Sequence, residues 1–578
     1  MANETFNLTT EPWIKVTERK TNATKMVSLI DLFEHAQDYR QLAGDMHTQD
    51  LAVLRVLLAI LTTVYSRYDA DGQPYPWLAA NPVEQATLEV NRGTYEDAVL
   101  ATWKQLFEAG HFSTIVIQYL QKFADRFDLF GDHPFYQVTV ADYDALVAEK
   151  KRVALGKGTV AVKQFNRRVS ESNNTPAIFA PKADTAKNQL TLDELARWLI
   201  TYQNYAGTTD KTKIETGKTF SSSPGWLYKL DAVYADGQTL FETLMLNLVL
   251  INEDGEYTPQ HPVWEVADLR DYVDDRSDQT NPDNIAELYT SWARILHLEW
   301  DDAQQPTIFS AGLPMFDGEN AYIEPMTTWR RDKKTEIDTP ATRSSYTLSK
   351  AMWRNFGSYV RLNPDTSATK QQQEPGIVWW LNQLKNRQVL ADNKSLSLAS
   401  VTFVSGGAPA NLPIAEYHDD IQIMAGVLFD RHQDEDDYWP VYIENVIQQT
   451  QKIGTDFYSF AMNVGRVRGM KLEAKPFANK LSDQFYSRLN DPFKNWLAGL
   501  TPTTDRDQAI LDWKKKLRKL ATDAAKSVMA TGSLRDVRGY FDQDQQVWVN
   551  IFIVMSWFQG KIKRDLGLKK GEIKEDGR

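Results

Sequence analysis

The sequence predicts a protein of the α+β class, with a large mixed α/β domain at residues 1–430 and a C-terminal four-helix bundle at residues 431–578. The N-terminal part alternates helical apolar stripes with short runs of β-favouring residues. An acidic stretch follows Phe429, and most of the remaining chain then reads as helix. Four helical segments of similar length with short connections are typical of a bundle.

Apolar periodicity predicts the helices of the N-terminal domain. The clearest stripe places Leu51, Leu54, Leu58 and Leu61 on one face. The predicted helices are Thr48–Arg67, Ala98–Phe107, Ser113–Arg126, Leu192–Tyr205 and Leu240–Leu250. Short β-like runs predict strands at Trp13–Val16 and Val401–Val404.

Stops and caps divide the C-terminal part into four predicted helices. Gly499, Pro502 and Thr504 separate two of them, and Gly532-Ser533 separates the next pair. The predicted helices are Val441–Met462, Leu481–Leu500, Asp505–Met529 and Leu534–Gly560. The apolar run Val547–Phe558 is too short to span a bilayer, and we interpret it as part of a buried helix.

The composition limits the classes of site that the chain can carry. Its 578 residues include no cysteine, which excludes disulfides, thiolate zinc sites and iron–sulfur clusters. The N-terminus MANETFNLTTEPW has no basic region followed by an apolar core, so we expect no signal peptide. These features fit a cytoplasmic protein without membrane segments.

Positive charge is concentrated locally in a chain whose formal net charge is −12. Lys150–Asn174 contains seven basic residues and one acid and shows no periodicity, so we expect a mobile loop that contacts nucleic acid through Lys163, Arg167 and Arg168. Leu511–Lys570 contains 13 basic and six acidic residues, among them Lys515 and Lys519. The alternative for both segments is a solvated surface.

The motifs that resemble catalytic or nucleotide-binding sites match their known patterns only in part. "TGKT" at Thr216–Thr219 lacks the earlier glycine of a phosphate-binding loop, since position 212 is threonine. His418-Asp419 resembles the doublet of metal-dependent phosphohydrolases, but the eight histidines are scattered and form no helical pair. A metal-dependent nuclease using His418 and Asp419 therefore stays an alternative. Apart from that alternative, the sequence leads us to expect no metal and no cofactor.

The stretch "TFVSGGAPANLPIAEYHDD" at Thr402–Asp420 predicts a stiff hairpin tip between two apolar strands. Gly406 and Gly407 permit positive φ, whereas Pro409 and Pro413 fix φ and remove donors. Such a tip is suited to insertion into a partner.

Six stretches in order resemble the CasA family, the large subunit of the type I-E CRISPR surveillance complex Cascade. They are FNLTTEPWIKV at Phe6–Val16, LFEHAQDYRQL at Leu32–Leu42, FDLFGDHPFYQ at Phe127–Gln137, LFETLMLNLV at Leu240–Val249, EPMTTWRRD at Glu324–Asp332 and FYSRLNDPFKNWLAGL at Phe485–Leu500. The resemblance implies the two-domain architecture predicted above. It also implies a subunit that cuts nothing itself, holds the 5′ end region of the crRNA, recognises the protospacer-adjacent motif in double-stranded DNA, opens the duplex and helps to recruit the helicase–nuclease.

The resemblance assigns candidate DNA-binding residues to three regions. The family's wedge, which splits the first target base pair, falls on Gly406, Gly407, Pro409, Ala410, Asn411 and Leu412. Its minor-groove loop falls on Ala180, Pro181 and Lys182. Its lysine finger falls near Glu319–Lys334, where charge selects Arg330, Arg331, Lys333 and Lys334.

This sequence departs from the family pattern at two of these regions. The wedge tip reads Ala410-Asn411-Leu412 where relatives carry a glutamine. The minor-groove loop "FAPKAD" has no glycine, so its backbone cannot approach a base edge as closely. Lys182 can reach the acceptors of the minor groove instead, and the preferred motif is expected to differ. A purely structural scaffold without DNA contact stays a further alternative.

Overall fold

The structure is a computed structural model, and it describes most of the chain. The described residues are 5–78, 90–156, 158–165, 186, 188–207, 212–253, 260–278, 281–300, 304–316, 318–332, 334–344, 347–360, 372–405, 413–431, 437–543 and 546–568. The fold is a mixture of helices and small sheets with a helical C-terminal region, so the predicted α+β class is confirmed.

Helices dominate the described residues. Numbered in chain order, they are α1 Leu29–His35, α2 His47–Tyr65, α3 Arg92–Ala109, α4 Ile115–Lys122, α5 Val140–Leu146, α6 Val162–Phe165, α7 Leu192–Tyr205, α8 Leu240–Asn247, α9 Leu269–Ser277, α10 Ile285–Thr290, α11 Gly376–Asn386, α12 Ala425–Leu428, α13 Trp439–Val467, α14 Ala474–Ala498, α15 Arg506–Ala530, α16 Leu534–Arg538 and α17 Ile551–Leu566.

The strands form several small sheets. They are β1 Ile14–Glu18, β2 Thr24–Val27, β3 Tyr39–Leu42, β4 Ala232–Asp236, β5 Arg294–Glu299, β6 Thr307–Gly312, β7 Trp329–Arg331, β8 Asp338–Pro340, β9 Gln372–Gln373, β10 Ser395–Ser405, β11 Pro413–Met424, β12 Tyr540–Asp542 and β13 Val547–Val549. Three sheets have three strands, in the orders β2-β1-β3, β11-β10-β4 and β8-β7-β9, and β5-β6 and β12-β13 are pairs.

The chain divides into two compact units. The first comprises residues 1–348, 367–389 and 398–419, and the second comprises residues 349–366, 390–397 and 420–578. The predicted domains, residues 1–430 and 431–578, remain a prediction about which stretches fold independently.

Helix α2 is the central element of the first unit. It packs against α7 and α10, and nearly all of its side chains are buried, so it is apolar around its whole circumference rather than along one stripe. Its buried Arg55 forms a bidentate ion pair with Glu324, at 3.0 and 2.8 Å, and Trp226 donates to the same carboxylate. This pairing keeps a buried charge hydrogen-bonded inside the core.

Helix α2 is also the one helix of the described chain that is long and apolar enough to cross a membrane. Ninety-four per cent of its apolar window is buried inside the protein. That burial is typical of a core helix.

Four long helices of the second unit form the predicted bundle. Helix α13 packs against α14, α15 and α17, and α15 packs against both α14 and α17. The core-facing side chains recur at intervals of three and four residues, as at Trp513, Leu517, Ala521 and Ala524 of α15.

The fourth predicted helix, Leu534–Gly560, is wrong as a single element. The chain forms the short helix α16, turns at Gly539 with φ +70°, and forms the hairpin β12–β13 before α17 begins at Ile551. The run Val547–Phe558, interpreted above as part of a buried helix, therefore begins as a strand in which Val547 and Trp548 are exposed.

Candidate nucleic-acid interface

Strands β10 and β11 form the hairpin that the sequence predicts. They are hydrogen-bonded neighbours joined by seven residues, 406–412, which is too short a connection for parallel strands. Val401, Phe403 and Val404 at the end of β10 are buried, and Phe403 packs edge-on against Tyr205 at 4.9 Å between ring centroids. Strand β10 is therefore part of the core of the first unit as far as Val404.

The start of helix α2 anchors strand β11. Oε1 of Glu416 accepts hydrogen bonds from the backbone N–H and the hydroxyl of Thr48, both at 2.7 Å. The first N–H groups of a helix have no partner within the helix, and a carboxylate there interacts favourably with the helix dipole. Two residues further along β11, the ring of His418 stacks on that of His47, with 3.8 Å between the ring centroids and 10° between the ring planes.

A buried polar network fixes the other face of the stem. Oδ1 of Asp231 accepts from Nε of Arg343 at 2.6 Å and from the hydroxyl of Ser400 at 2.8 Å. The Arg343 guanidinium lies 3.6 Å from the ring centroid of Tyr417 on β11. Both strands of the stem are thus tied to one buried ion pair, which resists shear between them.

Asp50, in the first turn of α2, is a titratable group whose pKa this environment shifts. Its pKa is raised to about 7, chiefly by burial and also by the negative charge of Glu416, while the hydrogen bond from the backbone N–H of Gly44 acts in the opposite direction. The carboxylate accepts that Gly44 N–H at 2.7 Å. Near neutral pH a proton on Asp50 relieves repulsion at the base of the stem.

Several predicted site residues lie outside the described residues. The candidate wedge residues Gly406, Gly407, Pro409, Ala410, Asn411 and Leu412 do so, as do Ala180, Pro181, Lys182, Arg167, Arg168 and Lys333. Lys163 belongs to the short helix α6. The wedge assignment therefore depends on the stem, whose two strands end at residues 405 and 413.

A second hairpin carries three of the basic candidates. Arg330 and Arg331 are exposed on β7, and Lys334 lies in the turn to β8. The carboxylate of Asp332 accepts from the backbone N–H groups of Lys334 and Thr335, at 2.8 and 2.9 Å, which lowers the pKa of Asp332 and fixes the turn.

The charges on this second hairpin are unequally compensated. Arg331 lies 3.8 Å from Glu336 and 3.7 Å from Asp338, so part of its charge is neutralised. The side chains of Arg330 and Lys334 form no ion pair with any described residue. The positive charges of Arg330 and Lys334 are therefore less compensated than that of Arg331.

Helix α15 presents the remaining basic candidates in the second unit. Lys515 and Lys519 are exposed one turn apart, while Trp513 and Leu517 face the core. Leu520, three residues after Leu517, is half-buried. Neither lysine forms an ion pair within the described chain, so both ammonium groups are available to phosphates.

The geometry does not support a nuclease centre at His418 and Asp419. They are consecutive residues of β11, and consecutive side chains of a strand point to opposite faces. His418 stacks on His47, and Asp419 lies 3.4 Å from the hydroxyl of Tyr417. Among the described residues no group of three or more histidine and carboxylate side chains is arranged to hold a metal ion.

Sequence reasoning identified the hairpin but missed the residues that anchor it. Thr48 and Glu416 are 368 positions apart, and Asp231 and Arg343 are 112 apart. No local pattern links such pairs. The one usable signal was the accumulation of polar residues in an otherwise apolar strand, at Ser400 and Thr402.

Comparison with known proteins shows similarity over nearly the whole chain. The family profile of the CRISPR-associated protein Cse1 matches residues 7–524. The structure of Thermobifida fusca Cse1 is 23% identical with a TM-score of 0.74, covering 97% of this chain and 98% of that one. Thermus thermophilus CasA (Cse1) is 19% identical with a TM-score of 0.66, covering 97% and 99%.

The similarity extends to an assembled complex. A chain of a CRISPR RNA-guided surveillance complex is 14% identical with a TM-score of 0.61, and the match covers 96% of this chain and 99% of that one. Among curated protein sequences, none is significantly similar to this chain.

Proposed function

Because the chain belongs to the family of the CRISPR-associated protein Cse1, we propose that it is the large, non-catalytic subunit of an RNA-guided complex that recognises and opens double-stranded DNA. Its partners are the other protein subunits, the crRNA, the target duplex and a helicase–nuclease that performs the cleavage. The similarity to a chain of a surveillance complex over 96% of this sequence supports this assignment.

The anchored stem of the β10–β11 hairpin is the observation that carries the proposal. Residues 406–412 join two strands that are tied to helix α2 through Glu416 and to the buried Asp231–Arg343 pair. A wedge must transmit force to the duplex without yielding, and a stem fixed on both strands does so. Unstacking one base step costs a few kcal/mol, and strand exchange with the guide is nearly balanced, so this local opening decides nucleation.

Two further contacts complete the proposed interface. Lys182, with Ala180 and Pro181, reads acceptors in the minor groove beside the wedge. Arg330, Lys334, Lys515 and Lys519 hold phosphates and fix the register of the duplex without reading its sequence. Lys163, Arg167 and Arg168 contact the backbone of the guide or the target.

The test is target binding by the reconstituted complex with and without this chain. A guide-matched duplex carrying different flanking motifs is titrated in the presence of Mg²⁺ or Mn²⁺. We expect motif-dependent binding that requires the chain, and no cleavage by the chain itself. Metal-dependent cleavage that a chelator abolishes would favour the nuclease alternative, and motif-independent binding would favour the scaffold alternative.

A further inference from the structure

The C-terminal end of the bundle exposes apolar side chains in one short segment. Half of the large apolar residues exposed in the described chain lie between residues 534 and 552: Leu534, Val537, Phe541, Val547, Trp548 and Phe552. Leu534 is 89% exposed and Trp548 is 52% exposed. Clusters of this kind on soluble proteins mark interaction sites. The match to the family profile ends at residue 524, before this segment begins.

The β12–β13 hairpin holds part of this apolar set in a fixed geometry. Phe541 and Trp548 are directly opposed in the ladder, with ring centroids 6.3 Å apart, and both side chains are exposed. Val549, next in the strand, points to the other face and is buried. Nε1 of Trp548 donates to the backbone carbonyl of Arg538 at 2.6 Å, which fixes the indole.

An ion pair with a buried carboxylate fixes helix α16 to the bundle. Asp536 is buried and accepts from Nε of Arg468, the residue that follows α13, at 2.9 Å. With Asp536 facing inward, Leu534 and Val537, three residues apart, share an outward face. A preorganised apolar surface loses little entropy when a partner binds.

Among the described residues 534–543 and 546–552, the exposed charged side chains are those of Arg535 and Arg538. Arg466, Arg535 and Arg538 are exposed, and none forms an ion pair with a carboxylate of the described chain. Of the described acids in this segment, Asp536 is buried against Arg468 and Asp542 lies within 3.4 Å of the hydroxyl of Tyr540. A partner that fits must supply both apolar and negative groups.

We infer that residues 534–543 and 546–552 form a docking surface for a segment of another protein that combines apolar and acidic side chains. A second copy of this chain fits poorly, because a two-fold contact would place the arginines against themselves. A nucleic acid would pair with the arginines but would leave the strongly exposed Leu534 and the neighbouring Val537 in water. The inference is independent of the proposed DNA contacts, since it requires neither guide nor target.

The test uses a fluorescent peptide of alternating glutamate and leucine, titrated against the full chain without nucleic acid. The comparison peptides have alternating lysine and leucine, or glutamate alone. We expect the glutamate–leucine peptide to bind at least about tenfold more tightly than either, with an affinity that falls as salt increases. Equal binding of all three peptides would overturn the inference.

Two variants locate the site. Val537→Ser with Trp548→Ser should weaken the glutamate–leucine peptide about tenfold, whereas Leu155→Ser, an equally exposed position of the first unit, should have no effect. Arg535→Glu with Arg538→Glu leaves the apolar side chains in place and should reverse the preference toward the lysine–leucine peptide. An unchanged preference in that variant would contradict the inference even if the serine variant were unfolded.

The same titration distinguishes a protein partner from other ligands that could bind this surface. Tighter binding of an oligothymidine strand than of the acidic peptide would identify a nucleic-acid surface, and tighter binding of phosphatidylglycerol vesicles would identify a lipid surface. Self-association that the serine variant abolishes would identify a second copy. Each of these results contradicts a protein partner of the stated chemistry.

Discussion

The carboxylate of Glu416 on strand β11 closes the first turn of helix α2 by accepting two hydrogen bonds from Thr48, each 2.7 Å long. The strand thereby takes the place of a local N-cap, since Met46 at the cap position provides no side-chain hydrogen bond. The nearly fully buried helix α2 and the strand that begins after the proposed wedge are thus directly linked.

Removing Glu416 should weaken this link measurably. Glu416→Ala leaves the N–H and hydroxyl of Thr48 without their acceptor, and we expect the free energy of unfolding to fall by about 1–3 kcal/mol. Thr48→Val removes only the hydroxyl and should cost less. Urea unfolding measures both, with the exposed Glu11→Ala as control. Equal stabilities of the Glu416 and Glu11 variants would show that the contact contributes nothing.

The stability of the first unit should depend on the protonation of Asp50. Its pKa is about 7 in the folded protein and lies near 4 in the unfolded chain. The folded state therefore binds the proton more tightly, and this contribution to stability is present at low pH and is lost as pH rises through 7. Asp50→Asn should raise the free energy of unfolding at pH 8 by roughly 2–4 kcal/mol.

The same variant should have little effect at pH 4, where Asp50 is protonated in the folded wild type. Glu287 is the matched control, because burial also raises its pKa to about 7 and it lies on another helix. Glu287→Gln should likewise make the free energy of unfolding less dependent on pH. Because the two sites act independently, the effects of the two substitutions on the free energy of unfolding should add. A gain from Asp50→Asn that is as large at pH 4 as at pH 8 would contradict the assigned pKa.

Breaking the buried ion pair of Arg55 and Glu324 should lower the free energy of unfolding more than replacing both residues with apolar ones. Glu324→Ala leaves an uncompensated guanidinium in the core and should reduce the free energy of unfolding by about 3–5 kcal/mol. Replacing both residues with methionine removes both charges and should cost less than the single change. Thermal and chemical unfolding compare the two, and a double variant less stable than Glu324→Ala would refute the argument.

Three of the four long helices of the second unit, α13, α14 and α15, could be read from the sequence because their apolar periodicity is strong, and α7 was predicted with its actual bounds, Leu192–Tyr205. The break after α16 was missed although its signals were present. Gly539 adopts positive φ, Val547-Trp548-Val549 is β-favouring, and Asn550 caps α17 with bonds to Phe552 and Ile553. The apolar run across the hairpin concealed these local signals.

The site was predictable only in its local part. Glycine and proline at Gly406–Pro413 mark a turn by their own backbone properties, so the hairpin could be placed from the sequence alone. Its anchoring could not, because the partners of Glu416 and Tyr417 are Thr48 and Arg343, which are brought there by the tertiary fold.

Phosphate contacts from helix α15 should affect all targets equally. Lys515→Glu with Lys519→Glu should weaken target binding by the complex by a similar factor for every flanking motif and should reduce the salt dependence, because phosphates carry no base information. Lys20→Glu with Lys104→Glu changes the net charge by the same amount at exposed positions of the first unit and serves as control. Losses confined to some motifs would show that these lysines do not act on the backbone.

The wedge is the central claim, and Asn411 and Leu412 are the residues that test it. Changing both to glycine alters no residue of strands β10 and β11, so we expect the anchored stem to stay intact. In the proposed wedge, Leu412 would fill the gap left by an unstacked pair, and Asn411 would hydrogen-bond to the freed base edges. The double variant should therefore open a guide-matched duplex more slowly than the wild type.

The decisive measurement compares binding of the wild-type and double-glycine complexes to two targets, a closed duplex and one whose first few base pairs beside the motif are already mismatched. If the hairpin acts as a wedge, the variant binds the closed duplex more weakly and more slowly but binds the pre-opened target as well as the wild type does. If the variant binds the pre-opened target as poorly as the closed duplex, Asn411 and Leu412 do not open the DNA.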